Sequence, residues 1–201
     1  MKLLLVSGPG LFEGESALLN QFLGQNGFEL SIRKPGWDEE GIASMLEAID
    51  PKHRKRIWVH GHPALALKFG FQGVHFGEAK KPTAHLWFDR LKEAGIKTGA
   101  ACHDPAELEQ LGAYDRVLLS PVFESISKPG HIPTFEPEDV RLALTKKPAG
   151  TEVYALGGII PERFKLLETM GFDGAALLGA IWGAQDPQEA LAAILRNVEA
   201  P

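Results

Sequence analysis

Glu152-Val-Tyr-Ala-Leu-Gly-Gly158 leads into Pro161-Glu-Arg-Phe-Lys-Leu-Leu-Glu-Thr-Met170, and an apolar run follows at Gly174-Ala-Ala-Leu-Leu-Gly179. The first piece is short, apolar and closed by two glycines, which reads as a buried strand. The second opens on a proline, favoured at an early helical position. It places Phe164, Leu167 and Met170 on one face at spacings of three. The third is apolar again. Strand, helix, strand in so few residues implies a parallel pair, because parallel neighbours need a crossover and a helix is the usual one.

The same alternation extends along the chain. Strands are predicted at Leu3–Ser7, Phe28–Lys34, Arg56–Gly61, Gly73–Phe76, Lys97–His103, Arg116–Ser120, Glu152–Gly158 and Gly174–Trp182. Helical patterns fall between most of them. Trp37–Ile49 carries Ile42, Met45, Leu46 and Ile49 on one face, Pro105–Gly112 carries Leu108 and Leu111, and Pro187–Val198 carries Leu191, Ile194 and Val198. Eight repeats suggest closure into a barrel, so the predicted fold is α/β, a (βα)8 TIM barrel spanning residues 1–201 as one domain. An open doubly wound sheet is the rival. It is disfavoured because Ser7-Gly-Pro-Gly10 lacks the spacing of a dinucleotide-binding turn.

Composition narrows the function classes. Hydrophobic residues make up 44% and charged residues 23%, enough for an ordinary core. A net charge of -5 gives no support for nucleic-acid or membrane-surface partners. The lone Cys102 excludes an intramolecular disulfide and a cysteine zinc cluster. The apolar start Met1–Val6 stops at Ser7, too short for a signal or a span, and is read as strand. These features point to a cytoplasmic protein. A homo-oligomer is compatible with the sequence but not required by it.

Chemistry in such barrels sits at the C-terminal ends of the strands. That rule selects Arg33 or Lys34 after strand two, and His60 and His62 after strand three. It adds His75 and Glu78 at strand four, His103 at strand five and Ser120 at strand six. Four of the seven histidines are on the selection, and several on one rim suggest acid-base work. Phe123–Pro137 is a long irregular stretch carrying Ser125, Ser127 and Lys128, a set suited to an anionic group. Gly157, Gly158 and Gly179 close strands seven and eight, where backbone N–H groups, including those of Gly158 and Ala180, are expected to bind a phosphate. The partner is then a small phosphorylated metabolite.

Several segments together resemble the thiamine phosphate synthase / TenI family. They are Gly73-Val-His-Phe-Gly77, Cys102-His-Asp-Pro-Ala-Glu-Leu108, Leu119-Ser-Pro-Val-Phe-Glu-Ser-Ile-Ser-Lys128, Ala155-Leu-Gly-Gly-Ile159 and Gly171-Phe-Asp-Gly-Ala175. The resemblance covers about Phe28 to Trp182. It implies the barrel fold and a place in thiamine biosynthesis: joining a thiazole phosphate to hydroxymethylpyrimidine diphosphate with release of pyrophosphate. Alternatives are a thiazole tautomerase acting on carboxythiazole phosphate, and a non-catalytic barrel that binds a phosphorylated ligand such as thiamine phosphate.

By the same resemblance, Lys128 meets the pyrophosphate, Ser125 and Ser127 stand for the usual threonines, Arg33 is the strand-two arginine, and Gly157, Gly158 and Gly179–Ile181 hold the thiazole phosphate. Arg33, His60, His103 and Lys128 are the catalytic candidates, with Ser120 among the binding residues. The departures concern the metal. The family's two magnesium-binding aspartates correspond to Gly61 and Lys80 here, with Glu78 the only nearby substitute. No tightly bound cofactor is expected, and magnesium only as a companion of the pyrophosphate group.

Overall fold

The computed structural model describes residues 1–10, 14–124, 130 and 132–199. Eight strands follow the chain order in a closed barrel: β1 (Lys2–Val6), β2 (Glu29–Ile32), β3 (Ile57–His60), β4 (Gly73–Phe76), β5 (Lys97–Cys102), β6 (Arg116–Leu119), β7 (Glu152–Leu156) and β8 (Gly174–Leu177). Every predicted strand is present, most trimmed by one to three residues. Two compact units make up the chain, residues 5–98 and residues 1–4 with 99–201.

In residues 5–98, helices α1 (Glu15–Leu23), α2 (Glu39–Glu47), α3 (Pro63–Phe69), α4 (Lys81–Ala84) and α5 (Phe88–Glu93) separate the strands. Helix α2 starts where Asp38 accepts a hydrogen bond from the Gly41 N–H at 2.8 Å. Register pairs Ser31 with Trp58 and Trp58 with Gly73, so these three share one face of the sheet, and His60 pairs with His75 on that same face. Ile32, Val59 and Val74 occupy the opposite face. They are buried, as are Ile42, Leu46, Leu65 and Phe69 of the helices. Burying a side chain of this size is worth about 1.5–3 kcal/mol.

The other unit contains β6 to β8, most of β5, and helices α6 (Pro137–Thr145), α7 (Phe164–Met170), α8 (Gly179–Trp182) and α9 (Pro187–Glu199). Its strand starts carry charge. Glu152 accepts from Lys2 and from Arg116 Nη2 (3.1 Å), and the Arg116 guanidinium lies 4.1 Å from the Tyr154 ring centroid. Asp173 accepts from Lys147 and from the Val153 N–H at 2.7 Å. These contacts lie at the N-terminal ends of β6, β7 and β8, the end that serves stability rather than chemistry in this fold.

Two local expectations are corrected. Strand β8 ends at Leu177, and Gly179–Trp182 is a short helix rather than the end of the strand. An unbroken apolar run does not distinguish buried strand from buried helix, and here the run contains both. Pro105–Gln110 is a 3-10 turn rather than an α-helix. No described helix is long and apolar enough to cross a membrane.

Candidate functional site

Within residues 5–98 the ends of β2, β3 and β4 gather a compact polar set. Ser7, after β1, accepts the Arg33 N–H at 2.9 Å and donates back to the Arg33 carbonyl at 3.2 Å. This two-way bond fixes the backbone from which Arg33 leaves β2. By strand alternation Arg33 shares the face of Ser31. Its guanidinium has no ion pair or hydrogen bond among the described residues and is partly open to solvent.

His60 Nε2 lies 2.7 Å from the Ser31 hydroxyl, and the His60 and His75 ring centroids are 4.4 Å apart. Burial of the ring holds His60 well below the ordinary histidine pKa, and the neighbouring His75 and Arg33 push it the same way. His60 is therefore a neutral imidazole near pH 7. It provides a hydrogen-bonding group rather than a positive charge.

Lys34 is not available to a ligand. Its ammonium is fully buried and donates to both oxygens of Glu15 (2.5 and 2.6 Å) and to the carbonyls of Gly8 and Gly10 (2.8 Å each). Of the two basic residues ending β2, only Arg33 is free to meet a substrate. His62 Nδ1 lies 3.6 Å from Glu39 Oε2 and is drawn toward α2.

In the second unit, His103 follows β5 and is exposed. Its Nδ1 lies 2.7 Å from the Ser120 carbonyl oxygen and 3.3 Å from the Ser120 hydroxyl. A carbonyl only accepts, so Nδ1 carries a proton and the neutral ring presents a bare Nε2.

Gly157 and Gly158 follow β7 with φ of +99° and +62°. A Cβ on Gly158 would fall 2.3 Å from the Glu124 carbonyl oxygen and 2.8 Å from Phe123 Cβ. Glycine is thus required here both for backbone conformation and for close approach. Arg163 closes the turn by donating to the Gly158 carbonyl while its guanidinium lies 4.3 Å from the Phe123 ring centroid.

The N–H groups of Gly158, Gly179 and Ala180 meet no acceptor among the described residues. The Ile181 N–H is already bonded to the Leu178 carbonyl at 3.1 Å and its side chain is buried, so Ile181 does not offer a donor as expected. Ser125, Ser127 and Lys128 lie outside the described residues.

The residues present do not fit the magnesium ion that the resemblance implies. Gly61 has no side-chain donor, Lys80 is a cation, and Glu78 is already paired with Lys81 Nζ at 2.8 Å. Among the described residues no three His, Cys, Asp or Glu side chains gather to hold a metal. Magnesium prefers octahedral oxygen coordination anchored on carboxylates, which this corner lacks.

Ser7, Ser31 and Arg163 were not anticipated from the sequence. Ser31 had a usable signal, since it lies two residues before Arg33 and period two puts both on one face. Ser7 and Arg163 act on backbone groups through turn geometry, for which the sequence carries no pattern.

A family model described as thiamine monophosphate synthase matches residues 30–181. The thiamine-phosphate synthase of Proteus mirabilis is 30% identical over 174 residues, covering 83% of this chain and 77% of that protein. The thiamine-phosphate synthase of Serratia proteamaculans is 28% identical over 170 residues, covering 80% and 75%. The crystal structure of thiamine phosphate pyrophosphorylase from Bacteroides thetaiotaomicron is similar in fold, with a TM-score of 0.77, 24% identity and full coverage of both chains.

Proposed function

The chain belongs to the thiamine monophosphate synthase family, and from that membership we propose that it joins a thiazole phosphate to hydroxymethylpyrimidine diphosphate. The observation that carries the reading is the family match over residues 30–181 together with same-named relatives that align along most of their length. Its setting would be the cytoplasm.

In this reaction the carbon–oxygen bond to the diphosphate breaks and pyrophosphate departs with the bonding electrons. The thiazole nitrogen supplies the electron pair of the new carbon–nitrogen bond, and thiamine phosphate forms. No oxidant or reductant is needed. The protein must neutralise the leaving group and align two rings, and correct alignment alone can contribute about 7–11 kcal/mol to the barrier lowering.

The family resemblance gives the first task to Arg33, and to Lys128 with the hydroxyls of Ser125 and Ser127. Arg33 suits it because its guanidinium has no partner among the described residues and its backbone is clamped by Ser7. The second task falls to the open N–H groups of Gly158, Gly179 and Ala180, which favour a phosphate on the thiazole side. Neutral His60 can hydrogen-bond a ring without repelling a cationic intermediate, which a protonated histidine would do. His103 offers its bare Nε2 to whatever proton the substrate rings present. Glu78, committed to Lys81, takes no part.

The test is genetic. The gene should restore growth without thiamine to a bacterial strain lacking its own thiamine phosphate synthase. Failure of the unmodified gene, with the protein present in soluble form, would remove the reading.

A further inference from the structure

The corner at the ends of β3 and β4 is unusual in its charge. A Cβ built on Gly61 would lie 4.0 Å from Lys80 Cγ, so the stem of Lys80 passes over the glycine at the end of β3. Lys80 is exposed, and its ammonium has no ion pair or hydrogen bond among the described residues. The nearby carboxylate, Glu78, is neutralised by Lys81 at 2.8 Å. Arg33, at the end of β2 in the same unit, is likewise uncommitted. The two positions that the family resemblance assigns to metal ligands are therefore neighbours, and together they present a glycine floor beneath a free cation.

We propose that Lys80, over Gly61, is a binding residue for the diphosphate group, and that with Arg33 it lets this chain bind that group without a divalent metal ion. A terminal ammonium can donate three hydrogen bonds to phosphate oxygens as a point charge, while the planar guanidinium of Arg33 can donate two in parallel. A Cβ at Gly61 would only touch the lysine stem at ordinary van der Waals distance, so the stem lies directly over this position. The Gly61 φ of +71° makes a return to a branched or bulky residue unfavourable. A carboxylate at either position would attract the metal; Gly61 offers it no ligand, and Lys80 repels it and attracts the anion directly. The assignment rests on the synthase reading only for the identity of the anion as a diphosphate.

The experiment is calorimetric titration of pyrophosphate into the full chain, once with excess chelator and once with magnesium. The unmodified protein should bind pyrophosphate in chelator. Lys80→Met should weaken that binding by about ten- to a hundredfold, the loss of one charge-assisted hydrogen-bonding group. Lys80→Arg should retain most of it. Lys165→Met, an exposed lysine on α7, should leave it unchanged. Because Lys80 is exposed, these variants leave the core intact, and a weakened Lys80→Met beside a normal Lys80→Arg reads the charge rather than the fold. Binding that requires magnesium, an absence of binding in chelator, or full affinity in Lys80→Met would overturn the proposal. Metal-free binding through Lys80 in a protein that forms no thiamine phosphate would keep this site and reject the reaction. Product formation with magnesium-dependent pyrophosphate binding would do the reverse.

Discussion

The Nε2 atom of His60 lies 2.7 Å from the hydroxyl of Ser31 on the adjacent strand, and burial beside the His75 ring keeps His60 uncharged near pH 7. The sign of the resulting pH dependence follows from proton counting. The unfolded chain protonates His60 as the pH falls through about 6.5, the ordinary histidine value, whereas the folded chain does not. Stability from this group is therefore fully present above about pH 6.5 and is lost as the pH falls below it, by at most about 1.4 kcal/mol per pH unit. Urea unfolding at a series of pH values should show this slope, and His60→Gln should flatten it. A His60 proton resonance that titrates near its ordinary pKa would contradict the assignment.

The Lys34–Glu15 pair predicts a large structural effect without a catalytic cause. Lys34→Met leaves a buried carboxylate unpaired and should cost about 3–5 kcal/mol in urea unfolding. Burial already pushes the Glu15 carboxyl up, opposed by Lys34. Without the lysine the folded state binds the proton more tightly than the unfolded state. The variant should thus be less destabilised at pH 5 than at pH 8. Glu15→Leu/Lys34→Met should recover most of the loss. Equal stability of Lys34→Met and the unmodified protein at pH 8 would show that the pair is not internal.

Ala180→Asp tests the phosphate donors without disturbing the turn at β7. Aspartate is compatible with the first turn of a helix, so the chain should fold while the added carboxylate repels the anion. Affinity for thiazole phosphate, measured by calorimetry, should fall by about tenfold or more, since one charge contact is worth at least about 1.4 kcal/mol. Gly158→Asp is a poorer probe, because its Cβ would strike the Glu124 carbonyl and damage the fold itself. Undiminished affinity in Ala180→Asp would move the phosphate elsewhere.

Much of this was legible in the sequence because period and punctuation are local. Gly73-Val-His-Phe76 could be delimited to the residue, since apolar residues and flanking glycines mark it. The rule that chemistry follows strand ends then selected Arg33, His60, His103 and Gly158 without any contact information. What could not be read depends on direction and partnership. Arg33 and Lys34 are adjacent and equally basic, yet one is uncommitted and the other is sealed against Glu15, nineteen positions earlier. The tautomer of His103 depends on the carbonyl of Ser120, which is invisible to any pattern of side chains. The meeting of Gly61 and Lys80 likewise needs the geometry of β3 and β4.

Phosphorus NMR of one mixture follows the joining reaction itself. The purified chain is incubated with thiazole phosphate and hydroxymethylpyrimidine diphosphate, with and without magnesium, and the phosphorus signals are followed to completion. The diphosphate signals should decline while pyrophosphate and thiamine phosphate rise in equal amounts, and only when both substrates are present. Unchanged spectra from folded protein, or pyrophosphate release without thiamine phosphate, would contradict it.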